Sequence, residues 1–249
     1  MAVYGRSAEE TPPRVVPDPP GWVRRSVLTN LDPVRLPGDL VVPTGAAAMV
    51  VFAHGSGSSR RSPRNVSVAR RLNEERLGTL LFDLLTPMEA QDRELVFDID
   101  LLSGRLIAAA RWIRRWPGLR DVPVAFFGAS TGAAAALVAA AAMPGEVVAV
   151  VSRGGRPDLA GGALERVTAP TLLIVGGDDV QVLLLNREAE QRMRCETRLD
   201  VIPGATHLFE EPDALERVAD LAAAWVSEHA RPAAEEVVDV PDLEDDRAE

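Results

Sequence analysis

Cysteine is nearly absent: Cys195 stands alone among 249 residues. A single thiol forms no internal disulfide and builds no cysteine-based metal cluster; inside a predicted strand it reads as a small core residue. Lysine is missing altogether, so all twenty-seven basic residues are arginine. No uninterrupted apolar run approaches the roughly 20 residues that span a bilayer, and no membrane partner is expected. Residues 1–25 carry Glu9, Glu10 and several prolines but no apolar segment of signal-peptide type, so a cytoplasmic location is expected. A Walker loop and a metal-ligand spacing of Cys or His are both lacking; no cofactor and no metal are expected. Histidine is scarce, with only His54, His207 and His229.

The charge is unevenly placed. Of the formal net charge of −10, seven units come from residues 233–249, where eight acids face Arg247 alone. The remainder is close to neutral, which does not suit a nucleic-acid binder. Pro-rich residues 1–20 read as a flexible arm, 21–231 as one domain, and 232–249 as a disordered acidic tail.

Between those ends, short apolar runs alternate with helical patterns. Val23–Leu28 and Asp39–Val42 read as leading antiparallel strands, followed by strands at 48–53, 79–82, 122–127, 147–151, 171–175 and 198–202. Pro63 opens a helix with Val66, Ala69 and Leu72 on one face, and Gly78 is expected to stop it. Further helices are expected around Leu102–Ile113, from Gly132 to Met143, over Val182–Arg192 and from Leu215 to Trp225. Such alternation implies a mostly parallel sheet covered on both faces. The Asp83–Asp100 connection is long enough to border a site. Residues 153–169 are Gly-rich and irregular, too short for a separate cap.

The stretch from Val122 to Met143 organises the rest. A buried strand runs into Gly128-Ala129-Ser130-Thr131-Gly132 and then into a helix without charge. A serine in G-x-S-x-G between strand and helix is lifted off the sheet edge with its hydroxyl exposed. A serine hydroxyl needs a base, and the base needs an orienting carboxylate. His207, in a loop after the last strand, is the candidate base. His54 is expected to order the loop after its strand, and His229 to sit at the end of the last helix. Asp178 and Asp179, after Gly176-Gly177, are both candidate acids, the other one being free to cap the following helix. Backbone N–H groups of Ser56 and Thr131 are candidate donors to an oxyanion. Five arginines, Arg60, Arg61, Arg64, Arg153 and Arg156, can line the same rim. A solvated face is the plain reading; the functional one is that Arg153, with Arg60, holds an anionic group of the substrate. Gly55-Ser56-Gly57-Ser58-Ser59-Arg60 also resembles part of a dinucleotide-binding turn, but Arg60 replaces the third glycine.

The segments VFAHGSGSSRRSPRN, TLLFDLLTP, FFGASTGAAAALVAAA, VVSRGGRPDLAG, TLLIVGGDDVQVLLLN and VIPGATHLFEEP resemble the α/β-hydrolase superfamily. Within it the chain is similar to compact dienelactone-hydrolase-like proteins, which occur alone or fused to phosphoribosyltransferase domains. The resemblance implies one α/β-hydrolase domain with a mainly parallel sheet of about eight strands and no large cap. It implies that Asp179 is the triad acid, through the pattern G-G-x-D-x-x-V. Dienelactone hydrolase proper uses a cysteine nucleophile, whereas Ser130 holds that place here, so the dienelactone substrate does not carry over. The resulting expectation is a serine hydrolase for a small-molecule acyl substrate, with Ser130, His207 and Asp179 as its triad. Acyl transfer, thioester cleavage, or ligand binding without turnover on the same fold are the alternatives.

Overall fold

The structure, a computed structural model, describes residues 21–230 with the exception of Asp32; the expected arm 1–20 and tail 232–249 lie outside them. The chain begins with strands β1 (Val23–Asn30) and β2 (Arg35–Val42). Then come β3 (Ala48–Ala53), α1 (Pro63–Glu74) and β4 (Leu77–Phe82). Two helices follow, the one-turn α2 (Arg93–Val96) and the long α3 (Ile99–Ile113). The centre is β5 (Val124–Ala129), α4 (Thr131–Ala142) and β6 (Val147–Arg153). The chain closes with β7 (Thr171–Gly176), α5 (Val180–Arg192), β8 (Thr197–Ile202) and α6 (Ala214–His229).

The strands form one eight-stranded sheet in the order β1-β2-β4-β3-β5-β6-β7-β8. β1, β2 and β4 pair antiparallel, and every pair from β4 across to β8 is parallel. The chain moves one way from β3 to β4 and then crosses back to β5. Right-handed crossovers therefore place α1 and α3 on opposite faces. They also open a crevice at the carboxyl ends of β3 and β5, where the strand order reverses and ligands of open α/β sheets bind.

Alternation along the strands divides the core accordingly. Met49, Val51 and Ala53 of β3 join Leu106, Ala109 and Ile113 of α3 and the alanines of α4. Val50 and Phe52 face the other way, with Val68 and Leu72 of α1 and Val218, Ala222 and Trp225 of α6. Phe52 stacks on Phe127 of β5 at 4.7 Å beneath the crevice, a contact worth roughly 1 kcal/mol beyond its buried area. Helix α4 is apolar on every side because it is covered over most of its length: the sheet lies beneath it and α3 and residues 157–166 over it, and its last turn reaches solvent at Ala142.

Several local expectations need correction. Val66 is 48 % exposed, because the buried stripe of α1 runs through Asn65, Val68, Ala69, Leu72 and Asn73. Gly78 does not end α1; the chain turns at Arg76, with φ 56°, and Gly78 lies inside β4. A Cβ there would come within 2.2 Å of the Met49 sulfur, so packing, not helix termination, accounts for this glycine. Buried Asn73 ties the turn to the strand by donating to the Leu77 carbonyl at 2.8 Å. Cys195 sits in a bend before β8 and is partly exposed, not in a strand. β5 begins at Val124 rather than Val122, and β6 runs on to include Arg153.

Candidate functional site

Ser130 joins β5 to α4 with φ 52° and ψ −120°, a conformation a side chain adopts only under strain. Neighbouring backbone holds it there. Its N–H donates to the Arg153 carbonyl at 3.1 Å, and its own carbonyl accepts from Ala133 and Arg156, each at 3.1 Å. The two flanking glycines let three segments meet. A Cβ on Gly128 would lie 2.4 Å from the Ala133 Cα, and one on Gly132 would lie 2.2 Å from the Ala53 carbonyl oxygen. Both obstacles are backbone and cannot swing aside. Gly132→Ala is therefore expected to cost at least about 3 kcal/mol of unfolding free energy, measured by urea denaturation.

His207 comes from the loop after β8. That loop is pinned to the β7 end: Asp178 N–H donates to the Ala205 carbonyl at 3.0 Å, and Gly177 N–H to the Ile202 carbonyl at 2.8 Å. Phe209, fully buried among the α6-side apolar residues and held at φ 55°, anchors it from the far side. The sequence reading passed over Phe209; an aromatic two residues after a loop histidine was its only signal.

The structure brings Ser130, His207 and Asp179 together. The His207 Nδ1 is 2.6 Å from Asp179 Oδ2, and Nε2 is 3.3 Å from Ser130 Oγ. With a carboxylate at Nδ1, that nitrogen is the N–H donor, which leaves Nε2 to accept from the hydroxyl. Asp179 stands at the N-cap of α5 but spends its carboxylate on the imidazole, so it makes no side-chain cap. Asp178 is exposed and does not take the N-cap position. The arrangement can pass a proton from hydroxyl to imidazole while holding one tautomer.

Ser56 lies across the crevice on the β3–α1 loop. Its N–H donates to the Thr131 hydroxyl at 2.9 Å, so the two sequence-flagged oxyanion donors belong to adjacent residues, and one of them is engaged by the other's side chain. Thr131 is the first residue of α4, where helix geometry leaves its own N–H without an intrahelical acceptor. His54 orders the loop as expected. It accepts from the Leu84 N–H at Nε2, 3.0 Å away, so Nδ1 bears hydrogen and faces the Gly55 carbonyl at 3.0 Å. Burial lowers its pKa below the ordinary value, which suits this neutral form. His229 closes α6, its Nδ1 at 2.8 Å from the Trp225 carbonyl.

A cleft of about 400 Å³ opens beside Ser56 and Thr131. Its wall is the Asp83–Asp100 connection, which contributes Leu84, Leu85, Pro87 and Val96, with Leu102 of α3 behind. Glu89 locks that wall. It receives two bonds from Arg105 of α3, at 2.8 and 2.5 Å, while Arg105 also donates to the Leu84 carbonyl at 2.6 Å. The Arg105 bond, more than anything else, holds the Glu89 pKa at about 2, below its ordinary 4.5. A carboxyl held down in the folded state stabilises it above the ordinary value and loses that contribution as pH falls toward the lowered one. Glu89→Gln is thus expected to cost about 1–2 kcal/mol at pH 7, a cost that vanishes as pH falls through about 2. Thermal melts of both proteins across that range measure it.

The five rim arginines separate. Arg60 does not reach into the site as a free cation: it pairs with Asp83 at 2.5 Å and with Asp39 at 3.1 Å. Arg156 pairs with Asp158 at 2.7 Å and Arg64 with Glu210 at 3.3 Å, while Arg61 is exposed. Arg153 is 8 % exposed and has no ion pair among the described residues.

No protein-family model matches the chain. It is 57 % identical over 197 residues to a Mycobacterium tuberculosis H37Rv protein named "Putative phosphoribosyl transferase", covering 79 % of this chain. The chain spans under half, 44 %, of that relative's length. Among solved structures, a dienelactone hydrolase from Anabaena variabilis is 51 % identical, with a TM-score of 0.82 over 85 % of this chain and the whole of that one. Est1E from Butyrivibrio proteoclasticus shares the fold at 16 % identity and a TM-score of 0.70, covering 82 % of this chain and 98 % of that one. Half of all positions shared over the full length of a solved relative, at a TM-score of 0.82, is more than fold likeness alone: the chain belongs to the dienelactone-hydrolase-like family of α/β hydrolases.

Proposed function

We propose that the protein is a serine hydrolase that cleaves an ester-type acyl bond through an acyl-enzyme. The observation that carries this reading is the unbroken relay from Ser130 Oγ through His207 to Asp179, with 3.3 and 2.6 Å links between residues far apart in sequence. Ser130 Oγ attacks the carbonyl carbon as His207 Nε2 takes its proton. The carbonyl oxygen becomes an oxyanion and accepts from the Thr131 N–H. It also takes the place of the Thr131 hydroxyl as acceptor for the Ser56 N–H. Collapse of the tetrahedral species expels the alcohol, protonated by the imidazolium, and leaves the acyl group on Ser130. Water, deprotonated by His207, then releases the acid and restores the hydroxyl.

The apolar wall of Leu84, Leu85, Val96 and Leu102 suits a short or medium acyl chain or ring. A panel of chromogenic esters of graded chain length tests this with purified protein. Turnover is expected to peak at an intermediate length that fills about 400 Å³ and to fall beyond it. Absence of turnover across the panel would leave ligand binding without chemistry as the reading. Thioesters and competing alcohols in the same assay distinguish hydrolysis of oxygen esters from thioester cleavage and from acyl transfer.

A further inference from the structure

We infer that Arg153 and Arg64 form a pocket for an oxyanion group, a carboxylate or a phosphate, carried by the substrate beside the elbow. The substrate part of this rests on the hydrolase reading above; the anion binding does not.

Arg153 ends β6, where it pairs with Ala129, the residue before Ser130, on a strand about 4.8 Å away. Side chains alternate along a strand, so Arg153 lies on the face of Val151, which packs with Phe127 and Ile174 toward α1 and α6. An arginine in that company is costly. Its Nε and Nη1 are enclosed and have no hydrogen-bond partner among the described residues. Arg64, in the first turn of α1, is close enough for its charge to act on Arg153, and its Nε is likewise enclosed and unpartnered. Burial first, and Arg64 second, hold the Arg153 pKa down to about 10, still charged at neutral pH.

Neither acid of the His207 loop, Glu210 or Glu211, pairs with Arg153. Glu210 meets Arg64 at its Nη1, and Glu211 accepts from the Thr206 hydroxyl at 2.6 Å. Two like charges with enclosed N–H groups and no shared counter-ion form an unfinished site, because a buried cation without a partner costs several kcal/mol. A planar guanidinium presents paired N–H donors, which match the paired oxygens of a carboxylate or phosphate. The position favours a group borne by the substrate. Gly154, the next residue, packs on His207, so closely that a Cβ would lie 3.3 Å from its carbonyl oxygen and 3.5 Å from its ring. Arg153 is therefore one residue from the backbone that packs on the His207 ring.

The test uses paired chromogenic esters: one ending in a carboxylate, one in a phosphate, each with an uncharged isostere. In Arg153→Met the kcat/KM ratio of charged to uncharged ester is expected to fall about thirty-fold or more, with partial recovery in Arg153→Lys. Melting with inorganic phosphate gives a readout independent of turnover. Phosphate is expected to raise the wild-type melting temperature and to leave Arg153→Met unmoved. Without phosphate, Arg153→Met is expected to melt above wild type, since an unpaired buried charge is gone. An unchanged ester ratio overturns the substrate role. An equal phosphate response in both proteins, or a variant that melts below wild type, overturns the pocket. Failure of every ester together with unlabelled Ser130 would sink the hydrolase reading, while the phosphate melts still decide the pocket.

Discussion

Ser130→Ala is expected to lower kcat/KM for ester hydrolysis by about 10⁴-fold or more, with little change in KM. In the proposed mechanism the hydroxyl forms the acyl bond, so its loss removes the covalent route and leaves what binding and the oxyanion donors contribute. The same position separates chemistry from stability. At φ 52° and ψ −120° the backbone is strained for any residue with a Cβ, whether serine or alanine. Ser130→Gly relieves that strain and is expected to be equally inactive but about 1 kcal/mol more stable than Ser130→Ala. Unfolding curves beside initial rates check both parts. A fully active Ser130→Ala would assign the chemistry to another group.

Asp179→Asn is expected to cost about 10³- to 10⁴-fold in kcat, and Asp178→Asn less than about twofold. Asp179 Oδ2 lies 2.6 Å from Nδ1; in the proposed mechanism it accepts that hydrogen and stabilises the imidazolium as Ser130 loses its proton. An amide there carries no charge and can present its NH₂ group, which favours the wrong tautomer. Asp178 is exposed and one residue too early to face the ring. The N-cap position of α5 falls on Asp179, and equal melting temperatures are expected for Asp179→Asn and wild type because its side chain makes no cap. A collapse of activity only in Asp178→Asn would reverse the assignment of the acid.

The fold was legible because its signals are local. Six apolar runs separated by helical spacing specify a parallel sheet, and the charge-free α4 announces a helix with no solvent face. Ser130, His207 and Asp179 could be nominated because few residues compete: histidine occurs three times, and one of those lies in the loop directly after the last strand. Resemblance chose between Asp178 and Asp179; the residues alone left both open. What could not be read depends on contacts between distant segments. Arg60 and Arg153 look alike in sequence, yet Asp39 and Asp83, brought from β2 and the end of β4, neutralise the first and nothing described neutralises the second. Gly78 resembles a helix stop, but its reason is the Met49 side chain on the neighbouring strand. Val66 was placed inward because a stripe drawn through Ala69 and Leu72 fits two phases of the helix, and the sheet selects the one through Asn65 and Val68. The engagement of the Ser56 N–H by Thr131 joins residues 75 apart and leaves no trace in either local pattern.

The central claim is that an acyl group forms on one hydroxyl, activated by one imidazole. Intact-protein mass spectrometry after reaction with a fluorophosphonate, followed by tryptic mapping, addresses it directly. With no basic residue between them, Arg120 and Arg153 bound a single tryptic peptide, 121–153, that contains Ser130. The expected result is one stoichiometric adduct on Ser130, lost in Ser130→Ala and slowed at least about a hundredfold in His207→Ala. Ester turnover that survives without any adduct on that peptide would contradict the account.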